Sequence, residues 1–355
     1  MPRPLLVTAD PAALDDLLRL VALAGVQGDA VSDLTEVRRL WEDAPLVLVG
    51  EDLLDRLVEL RLSRRDGVLV LGRDLDDAGV WQRAVDVGAQ RVVFLPDAEG
   101  WLVEALADAV EGRDAPGALV AVVGGRGGAG ATTLACALAQ TAARRGSSTL
   151  LVDADPLGGG IDVVFRAEQQ PGLRWPELAG SRGRVPAAAL DRALPRVGEL
   201  ALLSWDRGDG AQVPVEAARA VLGAARRSHE LVVADVPRHL DEVGQEVLSC
   251  AGTALLLVPA EVRAAAAAAR VAVRAAQWCR DVRLVVRGPA PAGLTADQVQ
   301  QALGLPLAGE LRAEPGLARS LEEGVPPGER KGSPLVGLCH ALLDDLLGAP
   351  LRSAA

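Results

Sequence analysis

The sequence predicts two consecutive α/β domains, each built on a parallel sheet. Three observations point to this. Short apolar runs alternate with amphipathic stretches over residues 1–112, a second and longer alternation starts at residue 118, and the polar stretch EGRDAPGA (111–118), with Pro116 and Gly117 as breakers, lies between them. A chain of 355 residues exceeds one ordinary domain of roughly 100–200 residues, so each part has the length for its own core. The boundaries read as 1–112, a linker at 113–117 and a second domain at 118–350.

In the first domain PLLVT (4–8) reads as a strand, 11–24 as a helix, a weaker strand lies near 28–31 and a helix near 33–41. LVLVG (46–50), GVLVLG (67–72) and RVVFL (91–95) are further strands, and 100–111 is the closing helix. Continuous apolar strands of this length, separated by helical stretches, indicate a parallel sheet covered on both faces. Five βα units of this size and rhythm resemble a response-regulator receiver (CheY-like) domain. The phosphorylation chemistry of a receiver does not accompany the architecture. Asp10 follows the first strand as a candidate metal-binding acid, but Gly50 stands where the third strand should end in an acceptor Asp, with Glu51 one position out of register. Gly72 ends the fourth strand run, and Leu95 precedes Pro96 where a receiver carries lysine. The expected role is a docking domain that is not phosphorylated.

Charge divides unevenly. Residues 1–112 hold 11 basic and 22 acidic groups, so the net charge of −11 sits in the first domain, and the second is neutral. Neither offers the broad cationic surface of a non-specific DNA or anionic-lipid binder. Arg263, Arg270 and Arg274 share one face of a predicted helix and read either as a DNA or partner stripe or as a solvated face. Four cysteines without a C-x-x-C pair and three scattered histidines suggest neither a disulfide framework nor a metal cluster. No apolar run approaches the ~20 residues of a membrane span, and MPRPLLVTADPAALDD has no signal-peptide core. These features lead to the expectation of a soluble cytoplasmic protein. Trp175 and Trp205 fall in loop-like segments and read either as partner anchors or as core.

The second domain opens with a buried-strand run, ALVAVV (118–123), then GGRGGAGATT (124–133), then a helix from Leu134. Strand, glycine loop and helix form a phosphate cradle, because glycine permits close backbone approach and positive φ, and the helix N-terminus attracts anions. Two readings compete. Gly125, Gly127 and Gly130 satisfy G-x-G-x-x-G, with Asp153 and Asp155 ending the next strand, as in an NAD(P)-binding enzyme. Alternatively, Arg126, Gly127, Gly128, Ala129, Gly130, Ala131, Thr132 and Thr133 resemble the deviant Walker A loop of the MinD/ParA family, K-G-G-x-G-K-T-T. Four later segments resemble that family in order: LLVDADPLGGGIDVVF (150–165) with Asp155, HELVVADVP (229–237) with Asp235 and Pro237, TALLLVPAEVRAAAAAARV (253–271) with Pro259 and Glu261, and the closing segment 304–335.

Receiver-like and MinD-like parts in this order resemble the CpaE/TadZ proteins of Flp (tight-adherence) pilus systems. The arginine-rich, lysine-poor composition brings the chain closest to septum site-determining (Ssd) proteins. The resemblance implies a P-loop NTPase fold and a spatial organiser of septum or pilus placement, acting as a nucleotide-linked homodimer. Machinery proteins would dock through the first domain, and the membrane would be reached only through partners. It also implies ATP with Mg²⁺ as cofactor, the cradle 126–133 for phosphate, Thr132 and Asp235 for the metal, and Asp155 as the water-orienting catalytic acid. Departures are specific. Ala131 replaces the phosphate-binding lysine, Arg126 replaces the signature lysine that reaches the partner's nucleotide, and Arg287 stands where many relatives carry an adenine-reading Asn. The single lysine, Lys331, is about 200 residues away. Slow or absent ATP hydrolysis is expected. A hydrolysing DNA-segregation motor would need the missing lysine and a basic surface. The C-terminal segment PLVGLCHALLDDLLGAPLRSAA carries Asp344 and Asp345 on its polar face, so it reads as the last helix of the fold and not as a basic lipid-binding tail.

Overall fold

Leu5, Leu6 and Val7 are almost wholly buried, as is expected of a strand covered on both faces, and they form the centre of the first sheet. A computed structural model describes residues 3–72, 77–111, 116–181, 183–208, 212–314, 316–330 and 332–348. It divides into two units, Met1–Ala115 and Pro116–Ala355. In the first, β1 (Leu5–Val7), α1 (Pro11–Leu23), β2 (Asp29–Val31), α2 (Leu34–Leu40), β3 (Val47–Gly50), α3 (Leu54–Leu60), β4 (Val68–Gly72), α4 (Ala78–Val87), β5 (Arg91–Phe94) and α5 (Glu99–Glu111) alternate. All strand pairs are parallel, in the order β2-β1-β3-β4-β5. Leu17, Leu20, Leu102 and Leu106 of α1 and α5 fill one face of the sheet. Val37, Leu54, Leu57 and Val80 of α2, α3 and α4, with Trp41, fill the other. Asp10, Asp33 and Asp77 cap α1, α2 and α4 by accepting backbone N–H groups, which explains three acids of this acidic unit as helix starts.

The second unit runs β6 (Ala118–Gly124), α6 (Ala131–Arg144), β7 (Thr149–Asp153), α7 (Ile161–Val164), α8 (Trp175–Leu178), α9 (Ala187–Ala193), β8 (Arg196–Val197) and β9 (Leu200–Leu203). It continues through α10 (Val215–Ser228), β10 (Leu231–Val236), α11 (Glu242–Cys250), β11 (Thr253–Pro259), α12 (Val262–Ala275), β12 (Val282–Arg287), α13 (Ala296–Leu303), β13 (Leu307–Leu311), α14 (Leu317–Glu322) and α15 (Pro334–Leu347). The strand order is β13-β12-β11-β6-β10-β7-β9-β8. Every pair is parallel except β8 with β9, a short antiparallel edge that the sequence reading did not anticipate.

Small residues decide how close α6 sits to the sheet. Ala135, Cys136, Ala137 and Ala139 are fully buried, and α6 lies against β6, β7 and β10. Leu335, Leu338, Cys339, Leu342 and Leu343 of α15 join the same core, so the C-terminal helix is an integral layer of the fold. Residues 349–355, with Arg352, lie outside the described residues, as do Lys331 and linker positions 113–115. Gly117 of the expected linker belongs to the second unit. Its N–H donates to the Arg226 carbonyl and its carbonyl accepts from Arg226 Nε, at 2.6 and 3.0 Å.

Candidate functional site

The loop between β6 and α6 is anchored at its first residue. Gly125 N–H donates to the Leu257 carbonyl of β11 at 2.9 Å, and a Cβ on Gly125 would lie only 2.7 Å from that of Ala268, so glycine is required for this approach. Gly128 and Gly130 take positive φ (68° and 99°), and Gly130 is the N-cap of α6. Around Gly127 and Gly128 there is open space, which leaves their backbone free to approach a ligand. The helix behind the loop is 14 residues long and has no acidic residue in its first turn. An anion there faces the positive end of the macrodipole without a competing carboxylate on the helix.

Strand order assembles the acids. β10 lies between β6 and β7, so the strand after the loop helix is not a neighbour of β6, and Asp235 pairs in register with Asp153. A dinucleotide fold places its second strand beside its first, so this arrangement removes the G-x-G-x-x-G reading. Asp235 is buried at the end of β10, and the Thr132 hydroxyl faces it and favours its ionised form. Burial nevertheless pushes the Asp235 carboxyl up to about 6, helped by the charge of Asp155. The two groups read from the sequence as metal ligands are therefore brought together. A hydroxyl and a carboxylate are the hard oxygen donors that suit Mg²⁺, which takes few protein ligands and completes its shell with phosphate and water. Beside Thr132 and Thr133 a cavity of about 460 Å³ opens, lined also by Gly159, Gly160, Arg166 and Glu322.

Asp155 sits two residues past Asp153, the buried end of β7, is partly exposed, and its Oδ1 accepts from Leu157 N–H at 3.0 Å. The segment beneath it is pinned by residues the sequence did not single out for that role. Asp153 accepts from the N–H groups of Asp155 (3.0 Å) and Ile161 (3.2 Å), while burial pushes its own carboxyl up to about 7. Trp175 Nε1 and Trp205 Nε1 both donate to the Asp153 carbonyl, at 2.6 and 3.1 Å. Both indoles are buried, so the partner-anchor reading of these tryptophans gives way to a structural one. Asp162, also buried, accepts from Arg207 Nη2 (2.7 Å) and Ser204 Oγ (3.2 Å) and pairs with Arg174. No local sequence signal marks Arg174, Ser204 or Arg207, because their target, Asp162 of α7, lies 12 to 45 positions away in sequence.

Two guanidinium groups border the loop. Arg126 Nη2 forms an ion pair with Glu261 Oε1 at 2.9 Å within the same chain. Ala131 carries no charge, and Arg287 reaches from the end of β12 to donate to the Ala129 carbonyl at 2.7 Å. The stripe of Arg263, Arg270 and Arg274 is exposed along α12.

In the first unit a cavity of about 610 Å³ is lined by Asp10, Glu51, Asp52, Asp55, Asp77 and Arg83. Arg83 Nη2 stands 3.0 Å from both Glu51 and Asp77. Asp52 accepts from Thr8 Oγ1 and Ala9 N–H at 2.8 and 2.7 Å. A Cβ on Gly50 would come within 2.4 Å of Asp52 Oδ1 and 2.7 Å of Thr8 Oγ1, so these side chains leave no room for an acceptor carboxylate at position 50. Arg83 stands among these five carboxylates, and among the described residues no three acids are grouped to hold a metal ion, so the divalent cation of a receiver does not fit this set.

Residues 120–327 match the family described as the CobQ/CobB/MinD/ParA nucleotide binding domain. Residues 7–117 match the Rv3660c-like, CheY-like N-terminal domain. The uncharacterized protein Rv3660c of Mycobacterium tuberculosis is 43% identical over 319 residues, covering 89% of this chain and 90% of its own. Among solved structures, the MinD cell division protein of Aquifex aeolicus superposes with a TM-score of 0.55 at 22% identity, covering 67% of this chain and all of that one. The MinD septum site-determining protein of Pyrococcus horikoshii, complexed with Mg-ADP, gives 0.55 at 17% identity, covering 64% and 95%. A ParA family ATPase from Chlorobium tepidum gives 0.55 at 15% identity, covering 65% and 99%. At these identities the structural likeness shows the fold.

Proposed function

Because the chain belongs to the CobQ/CobB/MinD/ParA family of nucleotide-binding domains, joined to a CheY-like N-terminal domain, we propose that it is a spatial regulator with a degenerate ATP site. It acts in septum-site determination or Flp-type pilus assembly. The observation that carries the degenerate site is the combination of an intact cradle with a missing charge: Gly128 and Gly130 in positive φ and Thr132 facing Asp235, but Ala131 at the lysine position. When bound, Mg²⁺ would neutralise phosphate charge. This chain's own part is to cradle phosphate with loop N–H groups, hold the metal through Thr132 and Asp235, and orient water with Asp155. Losing one electrostatic group at a developing charge removes roughly 3 kcal/mol of transition-state stabilisation, so binding outlives turnover.

The acid pocket held by Arg83 supports a first domain that docks a septum or pilus component without phosphorylation. Homodimerisation of the second domain and recruitment to the membrane through partners complete the proposal. Two measurements test it. Calorimetry with Mg-ATP should show binding with little or no hydrolysis in a parallel phosphate-release assay. A fluorescent fusion should concentrate at the septum or at a pole; uniform distribution with no change in septation or piliation on deletion would overturn the localisation role.

A further inference from the structure

We propose that Arg287 supplies the cation that the phosphate loop lacks at Ala131, so that the site binds a nucleotide's phosphates through a guanidinium delivered from β12. The inference rests on the nucleotide reading above and deepens it. In strand order β12 is separated from β6 by β11, yet the Arg287 side chain crosses β11 to reach the loop. Its backbone is fixed at both neighbours: Arg287 pairs in register with Pro259 and Leu311, and its carbonyl accepts from Ala260 N–H at 2.8 Å. From that rigid strand end Nη1 donates to the Ala129 carbonyl at 2.7 Å and lies 3.0 Å from where a Cβ of Gly130 would be, one residue before Ala131.

Charge makes this more than a loop contact. The other guanidinium of the loop, on Arg126, is paired with Glu261. Among the described residues Arg287 has no ion pair, and its side chain donates to a neutral carbonyl. A guanidinium with five N–H donors therefore stands at the cradle with no carboxylate paired to it among the described residues and donors to spare. Phosphate oxygens are its strongest partners, through charge-assisted and bidentate hydrogen bonds. A guanidinium has no acceptor, so it cannot pair with an amino group of a base as an amide side chain does.

The experiment is calorimetry on the full chain with Mg-ATP and with adenosine, for wild type, Arg287→Gln, Arg287→Lys, Ala131→Lys and the double variant Ala131→Lys/Arg287→Gln. Arg287→Gln keeps a hydrogen-bond donor toward Ala129, which guards the fold, and circular dichroism checks it. ATP affinity should fall about tenfold or more in Arg287→Gln, fall less in Arg287→Lys, which keeps the charge and loses the bidentate fork, and return in the double variant, because a lysine at 131 restores the charge from the other side. Binding of adenosine should be no weaker in Arg287→Gln than in wild type, since an amide can pair with the base. ATP binding unchanged in Arg287→Gln, a loss equally large for adenosine, or no rescue by Ala131→Lys would each overturn the assignment while leaving the nucleotide site standing. Absence of ATP binding in wild type and in Ala131→Lys would overturn the site itself and the assignment with it.

Discussion

Arg126 and Glu261 are 135 residues apart in sequence, and their Nη2 and Oε1 atoms meet at 2.9 Å across the mouth of the phosphate loop. The side chains are 35% and 39% exposed, so the pair contributes about 1 kcal/mol or less to folding. Its consequence lies in where it holds the guanidinium: against Glu261, the N-cap of its own α12.

Glu261→Gln should therefore leave thermal stability nearly unchanged while strengthening ATP-dependent self-association, read by analytical ultracentrifugation with and without Mg-ATP. Equal association of wild type and variant at all concentrations would show that the pair is not a latch.

Ala131→Lys should tighten ATP binding by about tenfold and raise hydrolysis, since it returns a cation to the cradle. Adding Asp155→Ala in that background should cancel the gain in turnover and leave binding largely intact. Removing Thr132 or Asp235 should instead abolish the Mg²⁺ dependence of binding. Calorimetry and single-turnover assays separate these outcomes.

Asp153 predicts a stability effect with an unusual sign. Its folded-state pKa of about 7 exceeds the ordinary carboxylate value near 4, so the folded chain keeps this proton over a window where the unfolded chain has lost it. Stability from this group is present below about pH 4 and is lost as pH rises toward 7. Asp153→Asn, a mimic of the protonated acid, should stabilise the second unit more at pH 7.5 than at pH 5, by thermal unfolding at both pH values. An effect larger at pH 5 would contradict the burial argument.

The first unit should take up no phosphate from acetyl phosphate, because Gly50 has no carboxylate and Asp52 and Thr8 occupy the space that one would need. Intact-mass spectrometry reads this directly, and a stoichiometric aspartyl phosphate would refute it.

Binding to random-sequence DNA at ~150 mM salt should remain weak, since the second unit is neutral and the first is acidic. Tight binding, lost when Arg263, Arg270 and Arg274 are reversed to Glu, would instead favour a segregation motor.

Local physics made most of the architecture legible in the sequence. Apolar strand runs such as ALVAVV, the glycines of 124–130 and the strands 149–153 and 231–236 with an acid at or next to their ends each act through backbone geometry and burial over a few residues, so each could be read where it stands. The same was true of the candidate site's inventory: Thr132, Asp155 and Asp235 were visible as residue types in a motif order, and so was the missing charge at Ala131.

Partnership was decided only by the tertiary structure. That β10 inserts between β6 and β7 sets Asp235 beside Asp153 and turns a glycine pattern compatible with two folds into one of them. That Trp175 and Trp205 share the Asp153 carbonyl, that Arg126 meets Glu261, and that Arg287 crosses β11 to the loop depend on which strands lie side by side. Side-chain hydrogen bonds and ion pairs act over about 3 Å, and distances of that order between residues 22 to 158 positions apart are fixed by sheet order and register, which no short window of sequence contains.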